Sequence, residues 1–124
     1  MNLYFLCATL FAAFITGLHV FAGGKAIARP LLEATELPDA VRYVQYFCWH
    51  IATLALAFQA LLFGLAMVSD APVIYATIAT AFAASIGLLG IAMPLLLKVS
   101  YRVVPQGWLF VPVAGLGVAG LIAL

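Results

Sequence analysis

Apolar residues are gathered into four runs along the chain, separated by short polar or proline-containing segments. The runs cover residues 3–22, 41–68, 73–93 and 108–124. Each run is long enough, the last only just, to cross a hydrocarbon core of about 30 Å as an α-helix. Pro38 and Asp39 open the second run, Asp70 can cap the third, and Pro94 is expected to kink or end it. The pattern predicts an all-α fold, a transmembrane antiparallel four-helix bundle that forms one domain over residues 1–124.

Composition supports an integral membrane protein in contact with the lipid bilayer. Hydrophobic residues make up 68% of the chain, charged residues 7%, and the mean hydropathy is +1.25, whereas about a quarter of the residues of a soluble domain are charged. Nothing before Lys25 is charged, so the first run lacks the basic start of a secretory signal and a retained helix is predicted. The net charge of +1 and the lack of a basic stripe give no support for nucleic-acid binding.

The five basic residues predict how the bundle is oriented. Lys25, Arg29 and Arg42 lie between the first and second runs, and Lys98 and Arg102 lie between the third and fourth. Short cytoplasmic loops carry an excess of lysine and arginine. Both basic loops are therefore expected on the cytoplasmic side, with both termini on the non-cytoplasmic side of a bacterial inner membrane that the chain crosses several times.

Small and hydrogen-bonding residues form a stripe on each of the first two predicted helices. Thr16 and His19 share one face of the first, and Tyr46, His50 and Thr53 share one face of the second, at spacings of three and four residues. Membrane helices associate through such faces because small side chains permit close approach and polar ones bond across the contact. The stripes predict an interior polar face made by Thr16, Tyr46 and Thr53, or a face that packs against a second copy.

The two histidines are the candidate functional positions, since an ionisable side chain within hydrocarbon is costly without a partner or a purpose. By helix rise, His19 lies about 9 Å inward from Lys25 and His50 about 12 Å inward from Arg42, at nearly equal height. Two facing neutral histidines can be axial ligands of haem b, with Arg29 and Arg42 meeting its carboxylates. In the plainer interpretation, each ring hydrogen-bonds a threonine, a tyrosine or a backbone carbonyl. No catalytic residue and no other metal site is predicted.

Several short segments resemble a group of uncharacterised small bacterial four-span membrane proteins. In that group an "H…G…PLL" segment closes the first helix and a "WHxxT" segment opens the second. The matching residues here are Leu18-His19, Gly23-Gly24, Pro30-Leu31-Leu32, Arg42 and Trp49-His50-Ile51-Ala52-Thr53. The resemblance covers roughly the first half of the chain. It implies that His19 and His50 are characteristic positions, and it brings no established activity.

Three functions from different classes remain open. The first is a non-catalytic accessory or assembly subunit, or a small homodimer, whose histidine face serves packing or partner contact. The second is a haem- or metal-binding protein of electron transfer with His19 and His50 as ligands. The third is a small-molecule or proton transporter with the histidines as a relay, which the lack of acidic residues within the spans counts against.

Overall fold

The computed structural model describes residues 2–124, and these are helical with short connections and no strand. Helix α1 spans Leu3–Leu18 and continues without a break as a π-helical segment, His19–Ala28, and then as α2, Arg29–Glu33. The remaining helices are α3, Asp39–Val68; α4, Pro72–Leu96; a 3-10 turn, Gln106–Leu109; and α5, Phe110–Ile122. The predicted all-α fold is confirmed over the described residues.

Three helices are long and apolar enough to cross a membrane. They are Leu3–Glu33, Asp39–Val68 and Pro72–Leu96, whereas the fourth apolar helix, Gln106–Ile122, is shorter. Large apolar side chains on the outside of the bundle, such as Phe21, Leu54 and Leu88, are mostly exposed. A water-soluble protein rarely exposes apolar patches of this extent. The structure is therefore that of a membrane protein whose outer surface suits lipid.

The first helix is longer than the run from which it was predicted. The sequence pattern ends it at residue 22, but the helical rod continues to Glu33, leaving only residues 34–38 as a connection to α3. Residues 25–29 have high helix propensity, and Pro30 lies in the first turn of α2, where proline is tolerated. The double glycine at 23 and 24 is therefore accommodated within the π-helical part of the rod, and the proline directly after it.

Helix α4 ends in a Schellman motif just after Pro94. Lys98 adopts a left-handed φ of 55°, its N–H donates to the carbonyl of Leu95, and the N–H of Val99 donates to the carbonyl of Pro94. The left-handed position usually belongs to glycine, because a Cβ is strained there. The helix thus stops at Leu96, and the chain turns into the connector that leads to α5.

The helices pack in a closed ring, in which α1 and α4 each contact both α3 and α5. The core between them combines aromatic rings with small residues. Its best-buried members include Phe5, Ala8, Phe63, Ala76, Ala79, Ala83 and Val113. The backbones approach closely where both partners are glycine: a Cβ added to Gly90 would lie 2.6 Å from the Cα of Gly107. Small residues of this kind permit close contact between membrane helices.

Contacts between α1 and its neighbours fix their relative register. Thr9 lies against Gly64 and its hydroxyl is 3.8 Å from the sulfur of Met67, both in the last turns of α3. At the other end of the rod, Gly23 lies against Trp49, in the first half of α3. The amide of Asn2 donates to the carbonyl of Gly120 at 2.9 Å, which joins the start of the described chain to the end of α5.

Candidate functional site

The candidate site lies where the π-helical segment meets α3, at Trp49. His19 is the first residue of that segment, and its imidazole stacks on the Trp49 indole with ring centroids 3.9 Å apart and planes at 16°. One helical turn later, a Cβ on Gly23 would lie 2.7 Å from Cη2 of the same indole. Because that distance is shorter than real Cβ contacts, the glycine is what allows the ring to lie against the helix.

Polar groups from both helices converge on the backbone carbonyl of Trp49. The Thr53 hydroxyl donates to this oxygen at 3.0 Å, and Nε2 of His19 lies 3.4 Å from it. A carbonyl only accepts hydrogen bonds, so the His19 contact is a long one that requires the proton on Nε2. Thr16 is half-buried and its hydroxyl donates to Ala12 of its own helix at 2.9 Å. The structure thus gives His19 the backbone contact that the plainer interpretation expects.

His50 has different neighbours. Its ring meets the half-buried Tyr46 ring edge-on, with centroids 4.6 Å apart and planes at 85°, and the residue as a whole is exposed. Together with Thr53, Arg29 and Trp49, these two residues line a cavity of about 280 Å³. We call it the His50 cavity. It opens on the outer surface between the π-helical segment, α2 and α3.

His19 lines a second and larger cavity of about 450 Å³, which we call the His19 cavity. It lies between the π-helical segment, α3 and the connector before α5, which contributes Arg102 and Gln106. Trp49 is the residue common to the two cavities. The structure therefore brings Tyr46, His50 and Thr53 to one cavity and His19 to the other, with Trp49 lining both.

The two arginines predicted to meet haem carboxylates have separate contacts. Arg29 lines the His50 cavity, but its Nε also pairs with the Glu33 carboxylate at 3.1 Å, and both side chains are largely exposed. Arg42 pairs with Asp39, reaches the carbonyl of Ala34 at 3.5 Å, and its side chain is only 12% exposed. Arg42 therefore fastens the 34–38 connection to the start of α3, and it lines neither cavity.

The described residues offer few groups for a metal. No cluster of three or more histidine, cysteine, aspartate or glutamate residues capable of holding an ion occurs within residues 2–124. Cys7 and Cys48 are free thiols on the exposed surface. Any ligand set that includes both His19 and His50 would have to draw together rings that now contact different aromatic partners.

Sequence reasoning missed the contact of Trp49 with His19 and Gly23, although it singled out Trp49 as part of the Trp49-His50-Ile51-Ala52-Thr53 segment. A signal was present: His19 and Gly23 are four residues apart, so they lie on one helical face and can hold a flat ring between them. Arg102 and Gln106 were also missed as cavity residues. They belong to a connector whose path is set by Lys98 and by the close contact of Gly107 with α4.

No protein-family model matches this sequence, and no curated protein and no solved structure matches it either. The function is therefore argued from the geometry of the chain itself.

Proposed function

We propose that this chain is a small polytopic protein of the bacterial inner membrane and a non-catalytic accessory or assembly subunit. It packs against a helix of another membrane protein, or of a second copy of itself, through the surface made by Tyr46, His50 and Thr53. The bundle has four antiparallel crossings, with both termini on the non-cytoplasmic side.

The order of contacts along neighbouring helices supports the antiparallel arrangement. Early residues of α1, such as Thr9, contact the end of α3, whereas Gly23 contacts Trp49 nearer its start. Gly120, near the end of α5, lies against Phe5. When early residues of one helix contact late residues of its neighbour, the two helices run in opposite directions. An even number of such crossings leaves both termini on the same side of the membrane.

The distribution of basic residues supports the orientation. Lys25, Arg29 and Arg42 lie around the end of the first helical rod and the start of α3, and Lys98 and Arg102 lie in the connector before α5. In the antiparallel arrangement all of them fall at the same end of the bundle. An excess of lysine and arginine at one end is the mark of the cytoplasmic side.

The exposed position of His50 is the observation that carries the subunit proposal. It lies on α3 about 12 Å beyond Arg42 along the helix, well within the apolar stretch, and the hydrogen bonds of residues 2–124 include none to its ring. In an isolated chain this exposed imidazole would lack a hydrogen-bond partner, at a cost that a partner group would remove. Polar side chains that bond across helix contacts have this role in membrane proteins.

The same geometry favours a subunit over the other two functions. A haem with both histidines as ligands requires two rings facing one ligand, but His19 and His50 line separate cavities. A proton relay requires a chain of hydrogen-bonded exchangeable groups, and among the described residues no hydrogen bond joins the His50 ring to the Tyr46, Thr53 or Arg29 side chains that line the same cavity. A partner helix lying over the His50 cavity requires no rearrangement of either ring.

The proposal is tested by the mass of the complex extracted from native membranes in mild detergent. His50→Leu keeps a side chain of similar size and removes the bonding capacity of the imidazole. Interhelical hydrogen bonds in membranes contribute about 0.6–2 kcal/mol, so we expect association to weaken by about 3- to 30-fold. Unfolding of the isolated chain should be unchanged or shifted to higher temperature, because a polar group is removed from the lipid-facing surface.

Cys48→Leu is the matched control. Cys48 is exposed on the same turn of α3, but its side chain projects about 160° away from that of His50 around the helix axis. This variant should retain the complex. A monomeric native chain, or equal complex formation by native protein and His50→Leu, would rule out the proposed contact.

A further inference from the structure

The His19 cavity has a size and a lining suited to a small amphiphilic molecule. Its volume of about 450 Å³ falls within the range of small-molecule sites, about 300–1,000 Å³. Most of its wall is aliphatic or aromatic, including Ile15, Leu18, Leu56 and Phe110. Such a wall accommodates a hydrocarbon chain, and it lies beside helices that themselves suit a bilayer.

Among the described residues, the one cation in the lining, Arg102, lies on the connector. Arg102 and Gln106 lie at the edge of the cavity, and Arg102 is exposed. The ion pairs of residues 2–124 are Arg29 with Glu33 and Arg42 with Asp39, so Arg102 has no carboxylate beside it. A guanidinium without a carboxylate partner at the edge of an apolar cavity is suited to a carboxylate or phosphate oxygen.

The room inside the cavity depends on the π-helical segment. This segment supplies three small residues to the wall, Ala22, Gly23 and Ala26, where larger side chains would fill the space. The indole of Trp49, on which His19 stacks, lies directly against this wall at Gly23. Local π-helical geometry is frequent at functional sites, and here it coincides with the largest of the described cavities.

We infer that the His19 cavity binds an amphiphile with one anionic head group, which Arg102 holds while the hydrocarbon chain lies along Leu18, Leu56 and Phe110. The head is a phosphate or a carboxylate, and the molecule is either a bilayer lipid or a free acid with an aliphatic chain. Basic pockets between membrane helices on the cytoplasmic side bind anionic lipids in this way. This site is separate from the His50 surface and does not depend on the proposed partner contact.

Quenching of Trp49 fluorescence tests the inference. In a Trp108→Phe background Trp49 is the sole tryptophan, and the chain is reconstituted into phosphatidylcholine vesicles. A minor fraction of brominated-chain lipid or acid is then added. Brominated phosphatidylglycerol, brominated oleic acid or both should quench Trp49 at least twofold more than the same fraction of brominated phosphatidylcholine. Preference for the phospholipid identifies a bilayer lipid, and preference for the acid identifies a free carboxylate.

Arg102→Gln should reduce the quenching by the preferred probe to the phosphatidylcholine level, whereas Lys98→Gln should not. Lys98 is an exposed cation of the same connector that does not line the cavity. A second pair of variants, at residues 22 and 84, keeps the inference testable if the Arg102→Gln variant misfolds. Ala22→Phe, which fills the cavity, should abolish the preference, and Ala84→Phe, at an exposed position of α4, should retain it. Equal quenching by all three probes, or a preference that survives both Arg102→Gln and Ala22→Phe, would overturn the inference.

Discussion

The imidazole of His19 lies face to face with the indole of Trp49, with ring centroids 3.9 Å apart. This stack joins the start of the π-helical segment to α3. It also separates the surroundings of the two histidines, since His19 and His50 line different cavities whose common residue is Trp49. The His19 ring therefore contacts Trp49, whereas the His50 ring contacts Tyr46.

Gly23 should be required for the stack, and its neighbour Gly24 should not. A Cβ at position 23 would meet the indole at 2.7 Å, whereas nothing lies within 4 Å of a Cβ at position 24. Gly23→Ala should lower the free energy of unfolding by about 1–3 kcal/mol, a typical cost of overpacking. Gly24→Ala should raise it by about 0.5–1 kcal/mol, because alanine is the better helix former. Unfolding in mixed detergent micelles, followed by circular dichroism, measures both, and equal effects would contradict the packing described for Trp49.

Lys98 should be strained at the end of α4. Its φ of 55° is left-handed, and glycine adopts this conformation without the steric cost of a Cβ. Lys98→Gly should therefore be more stable to thermal unfolding than Lys98→Ala, by about 0.5–1 kcal/mol. Both variants lack the lysine charge and only the glycine variant lacks the Cβ, so the difference between them measures the cost of a Cβ in the left-handed conformation. An alanine variant as stable as the glycine variant would show that the left-handed turn is absent.

The helices could be predicted because a helix that crosses a bilayer requires about 20 apolar residues in succession. The end of the first helix could not, because Gly23-Gly24 and Pro30 are typical of breaks, yet all three lie within one continuous helical rod. The sequence pattern also carried no information on π geometry. The rise of an α-helix, used to place His19, therefore does not apply to residues 19–28.

The inward faces were harder to predict than the helices. The stripe on α3 included His50, which is exposed, whereas Leu56, Gln59 and Phe63 are buried. In lipid, hydrophobicity does not distinguish inside from outside, because acyl chains are as apolar as leucine. The similar depths expected for His19 and His50 likewise gave no information on how each helix is rotated about its own axis. The pairing of His19 with Trp49, and of His50 with Tyr46, depends on that rotation.

The histidines should not form a haem site within one chain. Because the two rings line separate cavities, His19→Ala and His50→Ala should both leave the visible absorption spectrum of the detergent-purified protein unchanged. The spectrum is recorded for oxidised and reduced samples of the native chain and both variants. A Soret band that is present in the native chain and disappears in either variant would establish the haem-binding function and contradict the subunit function.

Labelling of single cysteines tests the orientation of the bundle. In a chain with Cys7 and Cys48 replaced by alanine, Asp70→Cys should react with a membrane-impermeant maleimide added to intact spheroplasts. Glu36→Cys and Lys98→Cys should react only after lysis, because the basic connections face the cytoplasm. The reverse pattern, or labelling of all three before lysis, would contradict the proposed topology.

The central claim is that His50 faces a partner helix, and a photo-crosslinker at this position tests it most directly. Benzoylphenylalanine in place of His50, activated in native membranes, should give a discrete protein adduct. The same residue in place of Cys48, on the far side of α3, should give mainly lipid adducts. Mass spectrometry of the adduct then identifies a different subunit or a second copy of this chain. Lipid adducts alone at position 50, as at position 48, would contradict the account.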